Sequence, residues 1–149
     1  MISGFFDPAV TDWPVPRVHV WMSIPELAGA TTPAWFQVNF LIDTGATTTS
    51  LNPVDSLGDA SLSISLLTRP DLWPQSSVAR GIGGDAAYLQ TRALYGFTHS
   101  NGSRETIRGQ IDIAQLTTTN RQIPSLLGWD ILQHFKLTLD WPARTITLE

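Results

Sequence analysis

The chain has 149 residues, of which 42% are hydrophobic, with a formal net charge of −4 and no cysteine. This length suits a single domain with a hydrophobic core, and residues 1–149 are predicted to form one. The mild negative charge, a single lysine and scattered arginines argue against a nucleic-acid partner. The lack of cysteine excludes disulfides and thiolate metal sites.

The N-terminal residues show no basic stretch followed by an apolar one, so they do not resemble a signal peptide. No apolar run approaches the roughly 20 residues that a membrane-spanning helix needs. We therefore expect no membrane partner and a cytoplasmic location, for a chain that is either whole or excised from a longer protein.

Two segments in the first third of the chain alternate between apolar and polar residues, as half-buried strands do. They are residues 15–24 and residues 35–42. The apolar faces are Val18, Val20 and Met22 in the first segment, and Phe36, Val38, Phe40 and Ile42 in the second.

Two short helices are predicted. The first follows Asn52 as its cap, has Pro53 at its first position and ends at Gly58. The second covers residues 129–135, with an apolar face formed by Ile131, Leu132 and Phe135.

The second half of the chain contains two predicted hairpins. Residues 86–97 and 105–116 are joined by a turn that contains Asn101-Gly102, a pair that supplies the positive φ angles of tight hairpins. Residues 136–140 and 144–148 form the second predicted hairpin. The prediction is an all-β domain of short strands with one or two short helices.

Three short motifs have ambiguous meanings when each is taken alone. Residues 43–46, Asp-Thr-Gly-Ala, follow an apolar strand and are also typical of a simple turn in which glycine supplies unusual backbone angles. Residues 80–85, Arg-Gly-Ile-Gly-Gly-Asp, suit a hairpin tip; a phosphate-binding loop would need a Gly-Lys-Ser/Thr ending that is absent. Residues 125–132 read as a buried strand that enters a helix through a tight glycine.

In this order, the three motifs resemble those of the retropepsin-like aspartic proteases, single-domain relatives of pepsin. The resemblance runs from about Trp35 to Leu148. It implies a closed β-barrel and a peptide hydrolase that uses neither a metal nor an organic cofactor.

The resemblance also implies residue roles. Asp43 would be the catalytic carboxylate, Thr44 would hydrogen-bond to a partner copy, and Gly45 would permit a tight turn close to the substrate backbone. The segment Leu126-Leu127-Gly128 would pack behind this loop. The residues expected to bind substrate are Ala46 and those of a mobile hairpin, or flap: Gly81, Ile82, Gly83 and Gly84.

The expected chemistry needs two carboxylates, one ionised and one protonated, but the chain has only one Asp-Thr-Gly. A homodimer that pairs two copies of Asp43 about a two-fold axis satisfies this need. Residues 144–148 are predicted to be an interface strand, with an ordinary edge strand as the alternative.

The chain departs from the family pattern at a charge pair that many members carry. The two positions hold Thr47 and Trp129, and we expect Trp129 to replace the pair by packing. A catalytically silent retropepsin-fold module for peptide binding or dimerisation is therefore the alternative function. Neither zinc-ligand spacing of the histidines nor a Gly-x-Ser-x-Gly motif is present.

Overall fold

The fold is mostly β, as predicted. The computed structural model describes residues 1–8, 14–29, 32–81 and 84–149. The strands are β1 (Ile2–Asp7), β2 (Val15–Ser23), β3 (Phe36–Ile42), β4 (Ser50–Leu51), β5 (Ser76–Gly81), β6 (Gly84–Thr98), β7 (Arg104–Ala114), β8 (Leu126–Leu127), β9 (Leu137–Asp140) and β10 (Thr145–Leu148).

Within the described residues, three short α-helices connect these strands rather than the one or two predicted. They are α1 (Pro53–Leu57), α2 (Ile64–Thr68) and α3 (Trp129–Leu132), and a 3₁₀ turn covers Pro70–Leu72. The unpredicted helix, α2, begins at Ser63, whose hydroxyl accepts a hydrogen bond from the N–H of Leu66 at 3.2 Å. Such a cap satisfies one of the free N–H groups of a first helical turn.

The strands form one sheet in the order β5-β6-β7-β4-β8-β3-β2-β1-β10-β9, and β2 also pairs with β6. That extra pairing, Trp21 opposite Gly96, closes six of the strands into a ring. The pairing of β3 with β8 is parallel, whereas that of β3 with β2 is antiparallel. The retropepsin-like closed barrel stays a prediction.

The predicted core faces of β2 and β3 are confirmed. Val18, Val20, Met22, Val38 and Phe40 are fully buried inside the ring. Each such side chain contributes roughly 1.5–3 kcal/mol through removal from water, which explains why the alternation in the sequence marks the strands.

The other face of β2 contains a buried charged residue. Arg17 lies on the face opposite that of Val18, yet it is only 8% exposed. Its Nε lies 2.9 Å from an Asp7 carboxylate oxygen, and its Nη1 donates to the carbonyl oxygen of Asn39. Pairing with a carboxylate is what makes burial of a guanidinium tolerable.

Helix α1 occupies the predicted position, but Asn52 does not cap it with its side chain. Its Nδ2 instead donates to the carbonyl oxygen of Pro124, 2.5 Å away. Gly58 ends the helix, where its N–H donates to the carbonyl oxygen of Val54. The asparagine therefore joins α1 to the segment before β8.

Both predicted hairpins are present. In the β6–β7 hairpin, Gly102 has a φ of +82°, the left-handed conformation that glycine adopts without strain. Strands β9 and β10 pair from Leu137 opposite Leu148 to Asp140 opposite Thr145.

The alternative that β10 is an ordinary edge strand is wrong, because β10 lies between β1 and β9 and pairs with both. Its role as an interface strand stays a prediction. Pairing of β10 with another copy through its backbone would first require displacement of β1 or β9. Among the described residues, no helix is long and apolar enough to cross a membrane.

Candidate active site

Asp43 lies at the carboxyl end of β3, where the parallel neighbour β8 holds it in place. Its N–H donates to the carbonyl oxygen of Leu127 at 3.1 Å, directly after the pairing of Ile42 with Leu127. The side chain is half-buried, and no described residue donates a hydrogen bond to its Oδ2. One carboxylate oxygen is therefore free to bind a water or a proton.

The other oxygen of Asp43, Oδ1, accepts a hydrogen bond from the N–H of Gly45 at 2.9 Å. A Cβ on Gly45 would lie 3.2 Å from this oxygen, which is tighter than ordinary contact. Gly45 does not have a positive φ, so the suggested unusual backbone angles are wrong. The glycine leaves space for a carboxylate that folds back on its own loop, while Thr44 is exposed.

Trp129, the first residue of α3, holds the Asp43 loop through two hydrogen bonds. Its backbone N–H donates to the carbonyl oxygen of Ala46 at 2.9 Å, and its indole N–H donates to the carbonyl oxygen of Thr44 at 2.6 Å. The side chain is 47% exposed, and the expectation that it replaces the charge pair by packing stays a prediction. The two hydrogen bonds restrain the loop.

Gly128, in the third motif, lies very close to the backbone of Thr48 in the segment that follows the Asp43 loop. A Cβ at this position would lie 2.5 Å from the carbonyl oxygen of Thr48 and 2.6 Å from its carbonyl carbon. The segment Leu126–Gly128 therefore lies behind the Asp43 loop, as the resemblance implies, and Leu127 is fully buried there. No other residue type fits at Gly128 without movement of the backbone.

Thr49 and Asp130, which the sequence did not identify as site residues, hold this arrangement together. The carboxylate of Asp130 accepts hydrogen bonds from the hydroxyl of Thr49 at 2.7 Å and from its N–H at 3.0 Å. The same hydroxyl accepts from the N–H of Gly128 at 3.0 Å. Asp130 belongs to the third motif, but its partner Thr49 is 81 residues away, so no local pattern indicated the contact.

The predicted flap coincides with the β5–β6 hairpin. Its strands pair in antiparallel register up to Gly81 opposite Gly84. The other two expected flap residues, Ile82 and Gly83, lie outside the described residues. Gly81 and Gly84 thus lie at the end of the β5–β6 hairpin, and a role for this hairpin as a flap stays a prediction.

A second carboxyl group, that of Asp55 in helix α1, contacts the residue that precedes β8 by one position. The carboxylate of Asp55 accepts a hydrogen bond from the hydroxyl of Ser125, and the carbonyl oxygen of Ser125 accepts from the N–H of Leu41. Burial raises the pKa of Asp55, and the negative charge of Asp59 raises it further, whereas the Ser125 bond opposes the rise. Asp55 supports the strand that leads to Asp43.

The three histidines are dispersed over the molecule. His19 stacks on Phe5 and contacts the side chain of Asn39, while His99 bonds to Glu105. Within the described ranges, no group of three or more histidine, aspartate or glutamate side chains could hold a metal ion.

Comparison of the sequence with protein-family models and with curated proteins found no match. The function is therefore inferred from the three motifs and from the geometry that surrounds Asp43.

Proposed function

We propose that this protein is an aspartic endopeptidase of the retropepsin-like type, with a closed barrel, that acts as a homodimer. One observation carries the proposal: Asp43 presents a free carboxylate oxygen, and hydrogen bonds to β8 and α3 hold its loop in place. A turn with only a structural role does not require several supporting hydrogen bonds, whereas a carboxylate that must meet a substrate in a fixed orientation does.

In the proposed dimer, Asp43 of each copy faces the other, and the two carboxylates hold one proton between them. The ionised carboxylate removes a proton from water while the oxygen of that water attacks the carbonyl carbon of the peptide. The protonated carboxyl group hydrogen-bonds to the carbonyl oxygen as negative charge develops there. The C–N bond then breaks, and the amine leaves with a proton from the dyad.

The exposed position of Thr44 supports this assembly, because its side chain is accessible to a second copy. The β5–β6 hairpin supports the substrate side of the proposal. A hairpin that ends in glycines can approach an extended peptide closely, and Ile82, Gly83 and Gly84 would then cover the peptide and hydrogen-bond to its backbone. Ala46 and Gly81 would complete the substrate-binding set.

Peptide-library cleavage, read by mass spectrometry between about pH 3 and pH 7, tests the activity. The protein is used at concentrations where sizing detects a dimer. We expect Asp43→Asn to reduce the cleavage rate on the order of 10²–10⁴-fold, the usual contribution of a general acid–base group. Asparagine can still accept the Gly45 hydrogen bond, so the loop should keep its shape.

Asp59→Asn is the matched control, since Asp59 is an exposed aspartate away from the Asp43 loop. It should leave the rate unchanged. Unaltered cleavage by Asp43→Asn would exclude the proposal. An inactive dimer that binds peptides would instead support the alternative of a silent peptide-binding module.

A further inference from the structure

The indole ring of Trp129 lies beside the Asp43 loop and is only partly covered. Its Nε1–H donates to the carbonyl oxygen of Thr44 at 2.6 Å, and the backbone N–H of the same residue donates to the carbonyl oxygen of Ala46. These two bonds hold the ring in one place, yet the side chain is 47% exposed. Tryptophan is among the residues that most often contribute the binding energy of a protein interface.

Covering this ring would cost little. Trp129 has one polar side-chain atom, the indole nitrogen, and its N–H group is already bonded to Thr44. Burial of the ring would therefore remove apolar surface from water without the loss of a hydrogen bond. Since the two bonds already hold the side chain, little rotamer entropy would be lost as well.

The surface around Trp129 carries little charge. Residues 44–48 read Thr-Gly-Ala-Thr-Thr, and none of them is ionisable. Four of these five residues are exposed, and Ala46 is half-buried. Protein interfaces are depleted of charge at their centre and enriched in aromatic residues. The loop and the ring together have this composition.

Trp129 also lies close to the two-fold axis of the proposed dimer. Two carboxylates that share a proton have oxygens about 2.5–3.0 Å apart, which places the Cα of each Asp43 within about 5 Å of the axis. With a Cα spacing of about 3.8 Å and the 2.6 Å bond to Thr44, the indole nitrogen is at most about 14 Å from the axis.

This distance is small compared with the size of a dimer interface. An interface of ordinary size covers about 800 Å² of each subunit, which corresponds to a disc of about 16 Å radius. The indole nitrogen of Trp129 falls inside such a disc when the disc is centred on the axis. Within one chain the ring is 47% exposed, so the additional surface that would cover it must come from another molecule.

We propose that Trp129 is an anchor of the interface between two copies of this chain, and that its exposed face packs on the partner copy beside the paired Asp43 loops. This inference rests on the proposed homodimer and adds a surface that holds it together. A second copy is a better occupant than a substrate peptide for two reasons. The proposed catalytic site is incomplete without that copy, and the indole N–H is not available to a peptide backbone because Thr44 already accepts it.

Two substitutions separate burial of the ring from the hydrogen bond. Trp129→Phe and Trp129→Ala both remove the bond to Thr44, but only the alanine variant also removes the ring. Sedimentation velocity from about 1 μM to about 1 mM protein, the range in which weak dimers dissociate, measures the dissociation constant of the dimer. We expect this constant to be on the order of 100-fold higher for Trp129→Ala than for Trp129→Phe, because each copy leaves apolar surface unburied.

Trp35→Ala is the matched control. Trp35 is 44% exposed and directly precedes β3, at the end of that strand opposite to Asp43, so it lies about 25 Å from the carboxylate. The dissociation constant should be unchanged in this variant. The ¹H–¹⁵N spectrum of each variant shows whether it is folded.

Nuclear magnetic resonance of the wild-type protein locates the ring directly. The indole N–H signal of Trp129 is identified by its absence from the spectrum of Trp129→Phe. We expect this signal to shift as the protein concentration rises through the dissociation constant, whereas the indole signal of Trp35 stays constant.

Three results would overturn the inference. Equal dissociation constants for Trp129→Phe and Trp129→Ala would show that the ring lies outside the interface, and would leave the proposed homodimer intact. A Trp129 signal that responds to peptides of the cleavage library but not to protein concentration would place the ring in the substrate cleft. A wild-type protein that is monomeric even at about 1 mM would overturn the homodimer and this inference together.

Discussion

Thr49 and Asp130 form a double hydrogen bond that fastens the start of α3 to the segment after the Asp43 loop. The hydroxyl of Thr49 donates to one carboxylate oxygen at 2.7 Å and its N–H donates to the other at 3.0 Å. Because the hydroxyl also accepts from the N–H of Gly128, one buried side chain bonds to two polar groups from the start of α3 and the residue before it.

Thr49→Val tests this dependence, because valine has the shape of threonine without the hydroxyl. The N–H of Gly128 would lose its partner and the Oδ1 of Asp130 would keep only the N–H of Ile131, and we expect unfolding in urea to show a loss of about 1–3 kcal/mol. Thr48→Val is the control, since Thr48 is exposed. Equal losses for the two variants would contradict the importance of the buried bond.

The close approach at Gly128 leads to a second prediction. In Gly128→Ala, the new methyl group would lie 2.5 Å from a backbone oxygen of Thr48, and backbone cannot move as cheaply as a side chain. We expect a stability loss of about 1–3 kcal/mol or more, measured by urea unfolding.

Gly29→Ala provides the comparison for Gly128→Ala. A Cβ at Gly29 meets no atom within 4 Å, so that variant should unfold at the urea concentration of the wild type, within error. A Gly128→Ala protein as stable as Gly29→Ala would mean that the loop adapts freely.

Trp129→Phe separates the indole hydrogen bond from the ring. Loss of the bond to the carbonyl oxygen of Thr44 should cost about 1 kcal/mol of stability or less, given the exposure of the side chain. Faster hydrogen exchange at the amides of Gly45 and Ala46 is expected, because the loop loses one of its two contacts with Trp129. Any peptidase turnover should fall, whereas binding of peptide should change less.

Trp141→Phe is the matched control, because Trp141 is similarly exposed at 42% and lies in the turn after β9. Exchange at Gly45 and Ala46 should be normal in that protein. Unchanged exchange in Trp129→Phe would show that the indole bond does not restrain the loop.

Asp55 predicts a dependence of stability on pH. Burial raises the pKa of this carboxyl group above its ordinary value of 3.8, so the folded protein binds its proton more tightly than the unfolded chain does. The stabilisation is complete below pH 3.8 and is lost as the pH rises through the higher pKa of the folded state.

Asp55→Asn should therefore remove a part of the decline in stability as the pH rises above 3.8, measured by urea unfolding at a series of pH values. The asparagine oxygen can still accept the Ser125 hydrogen bond. Asp140→Asn, at an exposed position, should leave the pH profile as it is. Identical profiles for wild type and Asp55→Asn would contradict the assigned cause.

The strands that lead to and surround the candidate site were predictable because their information is local. Alternation identified β2 and β3, since every second side chain of a half-buried strand must be apolar. Asn101-Gly102 identified the β6–β7 turn, where the backbone of Gly102 adopts φ +82°. The sequence Asp43-Thr44-Gly45 directly after an apolar strand is also a local pattern, and it identified Asp43 as the candidate carboxylate.

Contacts between distant segments were decided by the tertiary structure alone. Asp130 meets Thr49 across 81 residues, and Trp129 reaches Thr44 across 85. A polar side chain can hydrogen-bond to many partners, and its own sequence neighbourhood does not select among them. The partner is the one that packing of the apolar faces brings within 3 Å.

The same distinction explains why helix α2 was not predicted and why β10 is not the edge strand that was one alternative. Helix α2 depends on the Ser63 cap and on burial of Leu67, and five residues are too few for a helical period to be recognised. Strand β10 reads as an edge from its position at the end of the chain, but the pairing of β1 with it joins residues about 145 positions apart. The sequence thus determined which residues face the core and where the candidate carboxylate lies, whereas long-range packing decided which groups hold that carboxylate in place.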